Sequence, residues 1–391
     1  MRIRAISHGT LALLLAVTLS SCGPQAPVDS LPVIDLGKEY PKKEILVQNL
    51  FDVEYVPLET TDEFVTQGSL LAVSEHYVVV KNLRNDGNIY LFSRQDGHAV
   101  RCINRLGQSG EEYTYVNGLV VDEAGGELFV LDSQASKILV YDLEGRFRRS
   151  IPFGENTSYY TMLNYDKDHL IVHDASDREE GQPPSKPYHH AIISKQDGSL
   201  VRVLPISIEK LVGTYVRTDG AAAVVFPPAG IVPNRGDWLL TDISADTVYS
   251  YIPSGDRMKP FLALIPSQDP VRLFAMGTVT DRYYFMEATR REFDFTTGQG
   301  FGKDYWAYDV LGKAVYTPVI QNADFKDGNQ QYVSQLVLNG ARLAVVHTLT
   351  ADQLVSAYEE DNLNDGPLKD IASRLDMEDN PVLMLMKYKK P

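Results

Sequence analysis

Apolar residues in this chain come in short unbroken runs, each closed by a polar or glycine-containing turn. Residues 126–151, GELFVLDSQASKILVYDLEGRFRRSI, show the unit. Residues 128–131 are an apolar run ended by Asp132. Residues 133–136 are a small polar loop, and residues 138–141 are a second apolar run. Leu143-Glu144-Gly145 reads as a tight turn, with Gly where a positive φ is needed. Residues 147–151 read as a third strand. Strands this short, joined by turns this short, pair antiparallel with their neighbours.

The unit recurs. The run at 128–131 has counterparts at 77–80, 170–173, 238–241, 283–286 and 343–346. The residues that follow are Lys81, Asp132, Asp174, Asp242, Glu287 and His347, spaced about 53 apart on average, the period of propeller blades. The next strand recurs at 89–92, 138–141, 191–194, 247–251, 305–308 and 382–386. A Gly turn follows five of these, at Gly97, Gly145, Gly198, Gly255 and Gly312, and then a last strand. A less regular apolar segment, such as 118–121 or 276–279, precedes each block. Four strands in each of six units predict an all-β, six-bladed propeller of four-stranded antiparallel blades.

The sixth unit lacks its outer strand, because the chain ends soon after 382–386. The fourth strands share a flavour: SIPF at 150–153, VLPI at 203–206 and YTPV at 316–319. Residues 55–58, YVPL, have it too. An N-terminal strand is therefore expected to close the ring beside 382–386, leaving no open central edge.

In such a blade the 2–3 connections and the connections to the next blade share one face. The long segments 174–189, 207–235, 287–304, 321–331 and 347–380 all fall there, and loops on a rigid scaffold carry function. Within the last of them, residues 351–359 and 368–377 carry apolar positions at helical spacing, separated by Gly366-Pro367. A helical insertion over about 350–378, packed on the propeller mouth as a cap, is expected.

Composition adds location. The 391 residues carry a net charge of −15, which argues against a nucleic-acid partner. Arg2 and Arg4 precede a short apolar stretch at 11–19, a signal-peptide pattern. Leu19-Ser20-Ser21-Cys22 resembles the lipobox of bacterial lipoproteins. That resemblance implies cleavage before Cys22 and a lipid on its sulfur. Residues 1–21 would then be a signal peptide, 22–43 a Pro-rich tether with an irregular segment, and 44–391 one propeller. Cys102 is the only other cysteine, so no intramolecular disulfide is expected in the lipidated chain.

Several further stretches are shared with one group: VEYVPLET at 53–60, NRLGQSGEEY at 104–113, LFVLDSQASKILVYDLEGR at 128–146 and DNPVLMLMKY at 379–388. With the lipobox, they make the chain resemble the six-bladed β-propeller lipoproteins of Bacteroides-type bacteria, related to NHL-repeat propellers. The resemblance implies fold and an envelope location, outer membrane facing the periplasm, and names no activity.

Two sets of residues are candidates for chemistry. Asp132, Asp174, Asp242, Glu287 and His347, with Lys81 in the first blade, hold one repeat position and would form a divalent-cation site if they converged on the axis. The competing expectation is that each carboxylate caps its own 2–3 turn. Arg105, Gln108, Glu111, Glu112 and Tyr113, in a loop turned by Gly107 and Gly110, would form a polar ligand-binding rim or else a brace between blades. His189-His190 reads as a solvated pair. HExxH, CxxC and GxSxG are absent, and Gly298–Lys303 lacks the context of a P-loop. No cofactor beyond a possible cation follows. The expectation is a monomeric, lipid-anchored module binding a protein or carbohydrate through its loop-rich face. The alternatives are a metal-dependent hydrolase or lyase at the axis, and a structural scaffold of the envelope.

Overall fold

The computed structural model describes residues 31–389, apart from 177–178, 187, 219, 226–228, 329 and 332–342. Cys22 and residues 1–21, expected to be a signal peptide, lie outside the described residues. Blade 1 is Ser69–Val73, Tyr77–Lys81, Asn88–Ser93 and Ala99–Asn104. Blade 2 is Gly118–Asp122, Glu127–Asp132, Lys137–Asp142 and Phe147–Pro152. Blade 3 is Tyr159–Asn164, His169–Asp174, His190–Ser194 and Leu200–Leu204. Blade 4 is Ile231–Asn234, Asp237–Leu240, Thr247–Ile252 and Arg257–Ile265. Blade 5 is Arg272–Val279, Tyr283–Arg290, Lys303–Asp309 and Ala314–Gln321. Blade 6 contains Leu343–Leu349 and Val382–Tyr388, and its outer strand is Phe51–Pro57.

The middle strands read as continuous apolar runs because each blade is buried on both faces. Leu128 and Val130 pack toward blade 1, while Phe129 and Leu131 pack toward blade 3. Six apolar clusters result, one at each junction between neighbouring blades. No helix among the described residues is long and apolar enough to cross a membrane.

The ring closes as the strand motif predicts. Phe51–Pro57 runs antiparallel to Val382–Tyr388, with Tyr55 opposite Met384 and Val56 opposite Leu383. Strand pairing also begins earlier than residue 44. Val33–Asp35 adds a fifth, parallel strand to blade 4, and Lys42–Leu46 does the same to blade 5. The N-terminal segment is thus a strap that crosses three successive blades.

The repeated Gly turns have a tertiary reason. Gly97, Gly145 and Gly198 have φ of 76, 79 and 75°. Each also lies against the outer strand of the preceding blade. An added Cβ would meet Pro57 O at 1.8 Å, Ile103 at 3.0 Å and Ile151 at 2.4 Å, respectively. In blades 4 and 5 the left-handed residue is displaced by one position, to Asp256 and Lys313, so Gly255 and Gly312 do not carry the positive φ expected of them. Gly97→Ala is expected to cost about 3 kcal/mol or more, combining left-handed strain with a collision against backbone. Gly110→Ala, with nothing within 4 Å, should be close to neutral. Urea melts of the two variants test this, and equal midpoints would refute it.

The helical insertion differs in part from expectation. Ala351–Glu359 is a helix, but the second helix is only Pro367–Ala372. Beyond it the bonds Arg374 N–Ile371 O and Leu375 N–Ala372 O tighten the chain into turns. Leu354, Ala357, Leu368 and Ala372 join the core between blades 5 and 6. The insertion therefore seals that junction, and among the described residues Thr350 alone carries it to the axial cavity.

Candidate functional site at the propeller axis

The first strands of the blades begin, and the second strands end, on the face that carries the long connections. There they enclose a cavity of about 630 Å³. All six blades reach it, through Ser69, Leu119, Met162, Ala229, Met276 and Val346 in turn. The same face carries two projecting hairpins, Tyr215–Thr218 with Ala221–Val224 and Phe293–Asp294 with Gln299–Gly300. Arg291 ties its rim together: its guanidinium donates to Glu180 at 2.6 Å and to Gly213 O at 2.9 Å. A concave cavity in this size range, lined by aliphatic and polar side chains together, can take a small molecule.

The residues at the ends of the second strands mostly serve turns. Buried Asp132 accepts the N–H groups of Thr114 at 2.6 Å and of Ala135 at 3.0 Å. Asp174 accepts those of Ser158 and Ser176 and pairs with Lys186. Burial pushes the Asp174 carboxyl up, and those partners outweigh it, leaving it below the ordinary carboxylate range. Asp242 accepts the N–H of Ser244 at 2.8 Å. Lys81 donates to Val116 O at 2.8 Å and lies over the Tyr115 ring. Burial lowers the His347 pKa to about 4. Glu287 differs: it lines the cavity, with one carboxylate oxygen held by Lys303 at 2.9 Å and the other buried without a hydrogen bond. Among the described residues, no group of three or more His, Cys, Asp or Glu is arranged to hold a metal ion. The reason is positional. Second strands stand one place out from the axis, so their terminal side chains reach a turn before they reach each other.

This architecture has relatives. Residues 31–387 match the family described as "Domain of unknown function (DUF4934)". The chain belongs to the DUF4934 family. No curated protein matches it. Among solved structures, it is similar to a Bacteroides fragilis protein whose name describes it as exported. That likeness has a TM-score of 0.63 at 15% identity and covers 92% of this chain and all (100%) of the other. A member of the duf4221 family from Bacteroides vulgatus is similar at a TM-score of 0.48 and 11% identity, over 88% of this chain and 98% of the other.

In this DUF4934 propeller the loop after blade 1 has the geometry of a brace. Tyr113 is fully buried. Its hydroxyl donates to Gly87 O at 2.6 Å and accepts Arg105 N–H at 2.9 Å, and burial raises its pKa to about 12. The Arg105 side chain donates to Gly145 O in blade 2 at 3.0 Å. Glu111 O accepts the Tyr141 hydroxyl, Glu112 O accepts Lys137, and the Glu112 carboxylate accepts Ser109 N–H. Gln108 is exposed on the loop.

Two features carried no motif. Gln67 and Asn117 line the cavity from blades 1 and 2. The second is a buried histidine cluster where blades 3 and 4 meet. His189 and His190 are 3% and 0% exposed, which corrects their reading as a solvated pair. His173 Nε2 and His189 Nδ1 lie 3.1 and 3.2 Å from the same oxygen of Asp242. His190 stacks on His173 at 4.7 Å and donates through Nε2 to Gly230 O at 2.9 Å. Burial pushes the Asp242 carboxyl up, but the two imidazole bonds overcome it and hold the group well below its usual range. Burial, with His173 beside it, pushes His190 down to about 3. Both histidines follow or open an apolar run, at LIVH and HAII, and that context was the available signal.

Proposed function

We propose that this chain is a lipid-anchored propeller of the bacterial envelope, facing the periplasm from the outer membrane. It acts as a binding module whose ligand enters the axial cavity from the loop-rich face. One observation carries the reading: all six blades converge on a single cavity, on the face where the long connections gather. The Leu19–Cys22 lipobox and the export-related name of the Bacteroides fragilis relative support the location.

Thr161→Trp and Ser69→Trp each place a large ring in the cavity from a partly exposed wall position. A soluble form beginning at residue 23 should capture a component of an envelope extract. Each Trp variant should lose that capture while melting as the parent does. Capture that survives both variants would refute the cavity as the binding site. In the full chain, Cys22→Ser should move the protein from the membrane to the soluble fraction, and unchanged retention would refute the anchor.

A further inference from the structure

The polar groups around the cavity define a ligand class. Gln67 stands just before the first strand of blade 1, and Asn117 just before that of blade 2. In each, the side-chain amide oxygen is already engaged by the backbone where the 2–3 loop opens. Leu83 N–H donates to Gln67 at 3.0 Å, and Ser133 N–H donates to Asn117 at 2.8 Å. What remains to each fixed amide is its NH2 group, a pair of donors at the cavity wall. The same device is built twice, in adjacent blades. In a six-membered ring blade 5 stands opposite blade 2. From blade 5 come Glu287 and Lys303, an acceptor and a donor 2.9 Å apart. Aliphatic side chains such as Leu119 and Met276 complete the lining, with hydroxyl-bearing residues of blades 3 and 6, Thr161 and Thr348.

A ligand for this arrangement accepts hydrogen bonds at one wall, both donates and accepts at the other, and presents C–H surface to the aliphatic side chains. It carries no net charge, because among the described residues the charged groups on the lining, Glu287 and Lys303, already neutralise each other. We infer that the cavity binds a neutral sugar, such as the terminal disaccharide of a glycan, through Gln67, Asn117, Glu287 and Lys303. Sugar hydroxyls donate and accept from the same atom, so one ring satisfies both walls. This inference rests on the axial cavity being the binding site.

The test separates the donor role of the amides from their role in the loop. Asn117→Asp and Gln67→Glu keep the oxygen that accepts the loop N–H and remove the NH2 donor. Saturation-transfer NMR and calorimetric titration would use the soluble form with maltose, cellobiose, lactose and N,N′-diacetylchitobiose, against galacturonic acid and tetra-alanine. At least one neutral disaccharide is expected to bind, and each variant should weaken it about tenfold or more without a change in melting temperature. Glu287→Gln should also weaken it. Binding of only galacturonic acid or the peptide would overturn the sugar assignment and leave the cavity as the site. If none of the probes bind while Thr161→Trp still abolishes capture from extract, the assignment again falls alone. If none bind and capture survives both Thr161→Trp and Ser69→Trp, the binding-site reading falls with it.

Discussion

Lowering the pH from about 7 to about 4 is expected to remove several kcal/mol of stability, most of it through His190 and His347. Both are held neutral in the fold, with pKa values near 3 and 4 against an ordinary 6.5. The unfolded chain therefore takes up protons below about pH 6.5 that the folded chain refuses. Stability is full above that pH and falls as pH drops toward the folded values. At about 1.4 kcal/mol per pH unit, His190 forfeits about 3 kcal/mol by pH 4, and His347, partly exposed, somewhat less. Asp242 also has a depressed pKa, so its contribution is present above about pH 4 and is lost at still lower pH. The groups facing His190 are His173, His189 and Asp242. Urea melts across this range should show the midpoint falling steadily below about pH 6.5. In His190→Gln, which keeps a donor for Gly230 O, the slope should shrink. A flat profile between about pH 7 and 4.5 would contradict the buried neutral cluster.

Deleting the N-terminal strap should be more damaging still. Residues 31–58 place Ile34, Leu36, Ile45, Val47, Phe51, Val56 and Leu58 in the core, each no more than 5% exposed. At roughly 1.5–3 kcal/mol for each buried side chain, their loss exceeds about 10 kcal/mol, comparable to the whole stability of an ordinary domain. A form starting at residue 60 also leaves Val382–Tyr388 as an open edge in blade 6, the kind of edge that templates aggregation. It should be insoluble or melt without cooperativity. A form starting at residue 40 removes only the fifth strand of blade 4, with Ile34 and Leu36, so it should fold with a loss of about 3–6 kcal/mol. A cooperative, soluble protein starting at residue 60 would show that the strap does not hold the ring.

The blades were legible along the chain because a strand buried on both faces needs an apolar side chain at every position. Runs such as YVVV at 77–80 and LIVH at 170–173 announce that burial locally. The closing strand was legible for a related reason. All outer strands face the same environment, so residues 55–58 look like residues 150–153 although the first pairs with a strand more than 300 residues away and the second with the strand just before it. The helix Ala351–Glu359 followed from periodicity alone.

The strap strands were less visible. Val33–Asp35 and Lys42–Leu46 are short and bury little of one face, and their parallel pairing depends on an edge more than 200 residues away. The equivalent acidic positions were also visible, but their roles were not. Whether Asp132 meets a metal or the N–H of Ala135 depends on how far the second strand stands from the axis, a property of the closed ring. His173 and Asp242 lie 69 residues apart, and only blade-on-blade packing brings them together. The axial cavity is the extreme case. Its wall is assembled from six strand ends about 50 residues apart; Gln67 and Asn117 have no sequence neighbours that mark them, and Glu287 was marked only as one of six equivalent positions. Local pattern determined which residues each strand buries. Closure of the ring decided which of the remaining polar groups face one another, because that distance is set by six blades at once.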